Sequence, residues 1–369
     1  MGVQQRVMAL GDWSIKLADD TPLRVRQAVA TPYAHVLITP GHLNVDRAGD
    51  AAVIAASMFT GVVLDPGPQL TLGGVDLAWE LGDQNGNGAV LETAASFNLA
   101  PFETVMAALV PPALTAGSIE TYGLQHVATY QYVTYREAID AACKAFGGLE
   151  WRVNPNFTFD AGEVSYLYGS TAVAVAVRDG GGWDGTLVGI DGTIGYSASY
   201  ETYASRTILL SRAGPVATGS ASTFRDGLGN LRTIRNVVQG NDVAPGGEVA
   251  AVQAALAATN AAHEEVTIDT DDFAVAGKID LGWYVYVFDP LVGLYDTSNM
   301  ITFQGRRIFP VKRRVFGMRW PVTQGMGVYY RLHNGTSASY VDLTPYVEWE
   351  SGSTQIDVAW VPRKLIGGP

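Results

Sequence analysis

Only one cysteine, Cys143, stands among the 369 residues. No disulfide can form within the chain, and zinc or iron–sulfur sites built from several thiolates are excluded. Charge is sparse as well. Asp, Glu, Lys and Arg make up 16% of the residues while hydrophobic residues reach 47%, the balance of a folded globular chain rather than a disordered one. No apolar run approaches the roughly 20 residues of a membrane-spanning helix. No basic segment followed by an apolar one opens the chain, so no secretory signal is expected.

Catalytic signatures are also missing. There is no G-x-S-x-G elbow. His35, His42, His126, His263 and His333 are scattered, and none forms H-E-x-x-H or another close ligand pair. Gly180-Gly181-Gly182 lacks the G-K-[ST] ending of a phosphate-binding loop. Cys143 falls on the apolar stripe of a predicted helix, where a buried core thiol is a better account than a nucleophile. One fragment resembles half of a calcium loop: Asp83-Gln-Asn85-Gly-Asn87-Gly88. Its twelfth position is Ala94 where a bidentate Glu is required, and Glu92 arrives two residues early. An Asn-Gly turn in a β-hairpin explains it better, and Asp83, Asn85 and Asn87 stand as the residues a cation would use. The residues therefore predict no enzyme and no cofactor.

What the chain does contain is β-structure. Glycine is abundant, at 42 residues, and it punctuates short runs of aromatic and β-branched residues. Strands are predicted at Val36–Pro40 and Phe59–Leu72, and as a hairpin over Val75–Phe97. Further strands are predicted at Val173–Val177, Arg206–Ser211, Leu231–Gln239, Trp283–Pro290 and Ile301–Val322. Hairpins follow at Gly327–Thr344, centred on Asn334-Gly335, and at Tyr346–Val361. Asp179–Gly185 reads as a loop. Helical patterns are few. One runs over Pro101–Ala116 to the Pro111-Pro112 pair, and an alanine-rich one over Gly247–His263 with Val249, Val252 and Leu256 on one face.

The best-defined element begins at Thr134-Tyr-Arg-Glu137, a capping-box pattern. Tyr135, Ile139, Ala142, Cys143 and Phe146 then recur at helical spacing, and Gly147 suits the position after the helix end. GLEWRVNPNFTFDAG follows as a hairpin. Leu149, Trp151 and Val153 alternate with Glu150 and Arg152, and Phe157 and Phe159 resume the apolar face, so that Trp151 is expected to pair across with Phe159. Helix and hairpin each own one apolar face, and packing them together makes a small α/β unit.

Charge is unevenly placed. The formal net charge is −12, which disfavours nucleic acid as a partner of the whole molecule. Yet Thr297–Val341 contains no Asp or Glu and holds Arg306, Arg307, Lys312, Arg313, Arg314, Arg319 and Arg331. Phe303, Phe309, Phe316 and Trp320 interleave with them and are expected to form a strand's core face. A nucleic-acid site is one reading of this strip. A solvated or inter-subunit face is favoured, because a basic strip on an acidic chain suits an acidic partner. The protein-interface candidates are therefore Arg306, Arg307, Lys312, Arg313, Arg314 and Arg319.

The order of these parts resembles the tail-hub, or baseplate-hub, proteins of long-tailed bacteriophages, particularly those of actinobacterial phages. The resemblance is carried by FTGVVLD, WELGDQNGNG, TYREAIDAACKAFGGLEWRVNPNFTFDAG, GWYVYVFDPLVGLYD, RRIFPVKRRVFGMRWPVTQGMGVYYR and DLTPYVEWESG, and it covers most of the chain. It implies a mainly β fold with minor α+β: two β-barrel, tube-like domains, a small helix–hairpin domain and a second accessory domain. The divisions expected are 1–100, 101–170, 171–265 and 266–369, with barrels that can be discontinuous in sequence. It further implies a homotrimer that closes the distal end of the tail tube. Its partners would be a distal-tail or tube protein, the tape-measure protein, and fibre or receptor-binding proteins. Viral DNA would pass through the lumen without sequence-specific binding. The location implied is the virion tail tip, after synthesis in the host cytoplasm. The alternative is a tail-tip receptor- or carbohydrate-binding protein, whose eight Trp and 17 Tyr would stack on sugars.

Overall fold

The computed structural model describes residues 2–6, 8–29, 32–39, 58–66, 70–82, 89–146, 149–178, 182–183, 187–190, 192–199, 204–211, 214–220, 224–225, 231–232, 235–239, 249, 252–253, 256, 261–270, 279–320, 327–331, 340–342, 354–358 and 363–364. The fold is mainly β, with short helices. The chain divides into two units. One comprises Met1–Thr193 and Ile268–Asp357, the other Ile194–Thr267 and Val358–Pro369.

The first unit opens with β1 (Gly2–Arg6) and β2 (Asp12–Lys16), followed by α1 (Leu23–Val29), β3 (His35–Thr39), β4 (Phe59–Pro66) and β5 (Thr71–Asp76). Alternation sets the buried face: Trp13, Ile15 and Leu17 lie inside while Asp12 and Lys16 face out. The predicted Val75–Phe97 hairpin does not form. β5 pairs instead with β2 and β4, and Leu77–Leu81 is a 3₁₀ helix whose first turn Asp76 caps. An aspartate accepting a backbone N–H two residues on favours that turn over a continued strand.

The helix–hairpin region follows. It contains β6 (Ala95–Pro101), α2 (Phe102–Leu109), β7 (Thr115–Ile119), β8 (Gln125–Tyr130), α3 (Tyr135–Ala145), β9 (Glu150–Val153), β10 (Thr158–Gly162) and α4 (Val164–Tyr168). The capping box is present in full. Glu137 N donates to Thr134 Oγ1 at 3.1 Å, and Thr134 N donates to Glu137 Oε2 at 2.8 Å, a cap of about 1 kcal/mol. Ile139, Ala142, Cys143 and Phe146 are buried with Trp151 and Phe159 in one cluster that also takes in Phe102, Met106 and Leu109 of α2. Gly147 lies outside the described residues. The hairpin register differs from expectation. Trp151 faces Ala161 and Phe159 faces Val153, so the two rings meet diagonally, stacked at 6.3 Å. A longer turn shifts the register: Asn154–Phe157 closes it, with Phe157 at φ 65° and its N–H on the Asn154 carbonyl. β10 also runs parallel to β7, giving the order β7-β10-β9.

β11 (Ala172–Val177), β12 (Gly182–Trp183) and β13 (Val188–Ile190) come next, so part of the predicted Asp179–Gly185 loop is a strand. Then follow β14 (Thr193–Ser199), β15 (Arg206–Ser211), β16 (Gly214–Ser220), β17 (Phe224–Arg225), β18 (Leu231–Arg232), β19 (Arg235–Gln239) and β20 (Ala261–Thr270). In the second unit β15 lies between antiparallel β16 and parallel β19. The alanine-rich segment is helical at residues 249, 252, 253 and 256, with Val252 and Leu256 buried over Gly219 of β16. Two corrections apply to it. Val249 is exposed rather than on the buried face, and residues 261–263 already belong to β20. There Val266, Ile268 and Thr270 are buried while Glu265 and Asp269 are exposed, a period of two that no helix accommodates.

The first unit resumes with β21 (Tyr284–Phe288), β22 (Ile301–Phe303), β23 (Arg306–Ile308), β24 (Val311–Trp320), β25 (Gly327–Arg331) and β26 (Tyr340–Asp342), ahead of β27 (Thr354–Val358) and β28 (Arg363–Lys364). β25 and β26 form the predicted hairpin, whose Asn334-Gly335 centre lies outside the described residues. Of the last predicted hairpin, residues 346–353 are likewise outside them. One sheet of this unit runs in the order β12-β13-β11-β21-β24-β1-β2-β5-β4-β3-β25-β26, so β24 and β1 join the chain's late and early segments.

Asp76 sits at the foot of β5 and is 9% exposed. Its Oδ2 accepts from Gly11 N at 2.7 Å and its Oδ1 from Ala78 N at 3.0 Å. Burial pushes the carboxyl up to about 7; the two backbone donors and the Arg136 charge oppose that rise. In the unfolded chain the group ionises near 3.8. Between those values the folded state keeps a proton that the unfolded chain has released. Its stabilisation is therefore complete at low pH and lost as pH rises from about 4 to 7, by about 4 kcal/mol across the window. Urea unfolding at several pH values should show the stability difference between wild type and Asp76→Asn shrinking as pH rises. A pH-independent difference would refute the assignment.

Candidate functional site

Two ends of the β9–β10 hairpin carry the polar groups of interest. At the base, Glu150 and Arg152 point away from the core that holds Trp151. Glu150 meets Arg314 of β24 in a two-pronged ion pair: Arg314 Nη1 donates to Oε1 at 2.7 Å and Nη2 to Oε2 at 2.5 Å. Arg314 Nε donates to the Gly282 carbonyl at 3.1 Å. The guanidinium lies 4.7 Å from the centroid of the Tyr168 ring, and Arg152 approaches the same ring at 5.3 Å. Gly282 is at φ +81°, and a Cβ there would stand 2.3 Å from Tyr168 ring atoms, so only glycine allows the ring this place. Burial, with the Glu150 charge, pushes the Tyr168 hydroxyl up to about 12 against the pull of Arg314 and Arg152. Burial alone would lower the Arg314 pKa; hydrogen bonds and charge from Glu150 turn the net shift upward.

At the turn, Asp160 is buried and gathers donors. Its Oδ1 accepts from Ser118 N at 2.7 Å, and its Oδ2 from Asn154 Nδ2 at 2.8 Å and Arg152 Nε at 3.0 Å. Gly117 must be glycine here, since a Cβ would come within 2.3 Å of Asp160 Oδ1. Around this network opens a shallow polar cleft of about 470 Å³, lined by Ser118, Arg152, Asn154, Asn156, Thr158 and Asp160 among others. The turn is fastened on its far side. Thr60 Oγ1 of β4 donates to the Pro155 carbonyl at 2.6 Å, and Phe157 packs edge-on to the His35 ring at 4.9 Å. His35 Nε2 in turn lies 3.1 Å from Glu80 Oε1. Hydrogen bonds within the cleft use the Asp160 oxygens, so the arrangement holds the turn rigid and offers a guanidinium and side-chain amides at its surface. Its lining holds no Cys, His or Lys. Burial, followed by the charges of Asp140 and Glu150, pushes the Cys143 thiol up to about 12, a core group rather than a reactive one.

The predicted basic strip is not one surface. Arg314 is consumed by Glu150. Lys312 lies over the Tyr284 ring at 4.3 Å and donates to the Ser170 carbonyl. Arg313 is half-buried, and its charge helps hold the Asp296 carboxyl low, after the hydrogen bonds from Ser298. Arg306, Arg307 and Arg319 are exposed. The aromatics divide as well: Phe303 is buried, whereas Phe309 is 36% and Phe316 45% exposed, contrary to the expected core face. Asp83, Asn85 and Asn87 lie outside the described residues, and among the described ones no group of three or more His, Cys, Asp or Glu is placed to hold a metal ion. No helix among them is long and apolar enough to cross a membrane. Sequence reasoning missed Tyr168 and Gly282, which meet partners distant in the chain, and Asp160, whose donors Arg152 and Asn154 are near in sequence but are brought to it only by the hairpin's register and turn.

No protein-family model matches the sequence, and no curated protein does either. Solved structures do match its fold. The 43 kDa tail protein of prophage MuSo2 from Shewanella oneidensis aligns over 97% of this chain and 92% of its own, with a TM-score of 0.50 at 14% identity. A tail protein from Neisseria meningitidis aligns over 95% of this chain and 96% of its own, with a TM-score of 0.49 at 13% identity. The prophage tail protein gp18 from Listeria monocytogenes covers 97% of this chain and 86% of its own, with a TM-score of 0.43 at 8% identity. The fold is thus that of a solved prophage tail protein along nearly the whole chain.

The Glu150–Arg314 pair is largely shielded, with side-chain exposures of 17% and 14%. Arg314→Ala leaves the carboxylate without its partner and should cost about 3 kcal/mol in urea unfolding. In a double-mutant cycle with Glu150→Ala the coupling should exceed about 1 kcal/mol. Additive single-mutant effects would show that the pair contributes nothing.

Proposed function

We propose that this chain is a structural protein of a bacteriophage tail, the ring-forming hub at the distal end of the tail tube. The observation that carries the reading is the fold match to the MuSo2 43 kDa tail protein, which spans 97% of this chain and 92% of that one. A match over both whole chains supports a shared architecture rather than a shared module. The site supports a mechanical role. Its buried groups tie the helix–hairpin region to the long sheet through Glu150–Arg314 at one end and Thr60–Pro155 at the other. A rigid scaffold suits a tail component, which must hold its shape under load and undergoes no catalytic cycle.

In its finer form the proposal is a homotrimer of chains with two barrel-like, tube-related domains each, seated between a distal-tail or tube protein and the fibre or receptor-binding proteins. The tape-measure protein would end against it, and viral DNA would cross its lumen. The net charge of −12 supports passage, because an acidic wall does not retain a polyanion.

Light scattering on the purified protein, alone and with the distal-tail protein of the same phage, should give a trimeric mass or a stable co-complex. Immunogold labelling of virions should fall on the tail axis at its distal end. A strict monomer that joins no tail would sink the reading. Binding to host cells by the isolated protein, with label on peripheral fibres, would favour a receptor-binding protein instead.

A further inference from the structure

The cleft at the β9–β10 turn holds more hydrogen-bonding groups than bracing the hairpin uses. Asp160 is 5% exposed, and its Oδ2 takes Arg152 Nη2 at 3.0 Å as well as Arg152 Nε and Asn154 Nδ2. A directed chain of hydrogen bonds starts from this carboxylate. Asn154 Nδ2 donates to Asp160 Oδ2 and, at 2.9 Å, to Thr158 Oγ1. Thr158 Oγ1 donates to Asn156 Oδ1 at 2.7 Å, and Thr158 N donates to the same oxygen at 3.3 Å. An ionised carboxylate only accepts and a backbone N–H only donates, so the two ends of the chain fix which way both amides face. Each amide is left with one group to spare.

Asn154 offers its Oδ1 as an acceptor, Asn156 its Nδ2 and Arg152 its Nη1 as donors, and Ser118 its hydroxyl as either. None of these atoms has a partner among the described residues, and all four residues line the cleft. Its volume of about 470 Å³ falls within the roughly 300–1,000 Å³ of small-ligand sites. The lining selects the ligand's chemistry. Arg152 and Asp160 cancel each other's charge at 3.0 Å, so the cleft favours an ion of neither sign. Apart from Gly117, Pro155 is its one apolar lining residue, which gives an apolar ligand little to bury against. An extended peptide is matched by a backbone ladder with pockets for its side chains, not by a cluster of side-chain amides. The ligand that fits is neutral and compact, with several groups that each donate and accept: a set of hydroxyls on a ring.

We infer that this cleft is a binding site for a neutral saccharide. Sugar hydroxyls donate to Asn154 Oδ1 and accept from Arg152 Nη1 and Asn156 Nδ2, and the Ser118 hydroxyl does either. Asp160 holds Arg152 and Asn154 in place before a ligand arrives, so binding costs little side-chain ordering. No aromatic ring lines the cleft to stack on the sugar, and the affinity is correspondingly modest, with a Kd on the order of 1 mM. A tail hub needs no such site, so the inference goes beyond the hub reading and stands on the cleft alone.

Saturation-transfer NMR on the full-length chain tests it. The probes are glucose, galactose, mannose and N-acetylglucosamine as free sugars, and maltose and chitobiose as linked ones. At least one should bind saturably, with an affinity that added salt leaves unchanged. Ser118→Ala removes the spare hydroxyl and keeps the backbone bond to Asp160; Asn156→Asp keeps the oxygen that Thr158 uses and removes the spare donor. Both side chains belong to exposed residues, and circular dichroism checks the fold. Each variant should weaken binding about threefold to tenfold, the worth of one hydrogen bond. Tighter binding of a disaccharide than of its monomer assigns the ligand to a glycan chain, and equal or weaker binding assigns it to a free sugar; either supports the site. No saturable binding by any probe, binding that both variants leave unchanged, or binding that collapses with salt would overturn the inference. The hub reading is decided separately, by mass and by labelling of virions, and survives each of those results.

Discussion

The two-pronged contact between Glu150 and Arg314 governs how the helix–hairpin region is carried. A guanidinium taken this far from water needs a carboxylate in its own plane, and Glu150 supplies it from a strand 164 residues earlier. The rest of the base follows from that requirement. Tyr168 presents its ring to Arg314 and Arg152, and Gly282 must lack a side chain so that the ring fits. The same geometry orients β9, and β9 sets the direction of the turn that Thr60 and His35 receive. One ion pair thus couples the tilt of a peripheral hairpin to a strand in the middle of the long sheet.

Charged groups inside this region are tolerated because each has a partner within reach. Arg136 is 2% exposed and lies 5.1 Å from the centroid of the Trp151 ring, where it also attracts the carboxylate form of Asp76. Trp151 Nε1 donates to Asp140 at 2.7 Å, so the largest buried side chain leaves no polar atom stranded. Arg178 and the fully buried Asp289 repeat the pattern beside β21, where Asp289 also caps the Pro290–Val292 turn. Such pairs contribute less to net stability than to geometry. A misdocked hairpin would strand a charge, which disfavours alternative packings more than it stabilises this one.

What could be read from the residues follows the range of each interaction. The α3 cap and stripe were legible because Thr134 and Glu137 are three residues apart and the stripe repeats every turn. The hairpin's alternation was legible for the same reason. Its register was not, since it depends on how Asn154–Phe157 close the turn. The strand expected after Val75 became a 3₁₀ turn because the Asp76 carboxylate found Gly11, 65 residues away. The alanine-rich helix was placed too far along because small residues fit either state, whereas Val266, Ile268 and Thr270 had a sheet to bury them.

By itself the sequence determined that this is a mainly β, disulfide-free chain with one strongly specified helix–hairpin and an uneven distribution of charge. Those properties come from composition and from neighbours within a few residues. Only the tertiary structure decided which arginines remain available. Arg314 is paired with Glu150, and Lys312, although exposed, lies over the Tyr284 ring, whereas Arg306, Arg307 and Arg319 face solvent. It also decided that the early and late segments share one sheet, and that Leu99 stands exposed on a bulge. The reason is physical: whether a charge or an apolar side chain is satisfied depends on atoms that chain folding brings to it, and for Arg314 those atoms lie on Glu150, 164 residues away.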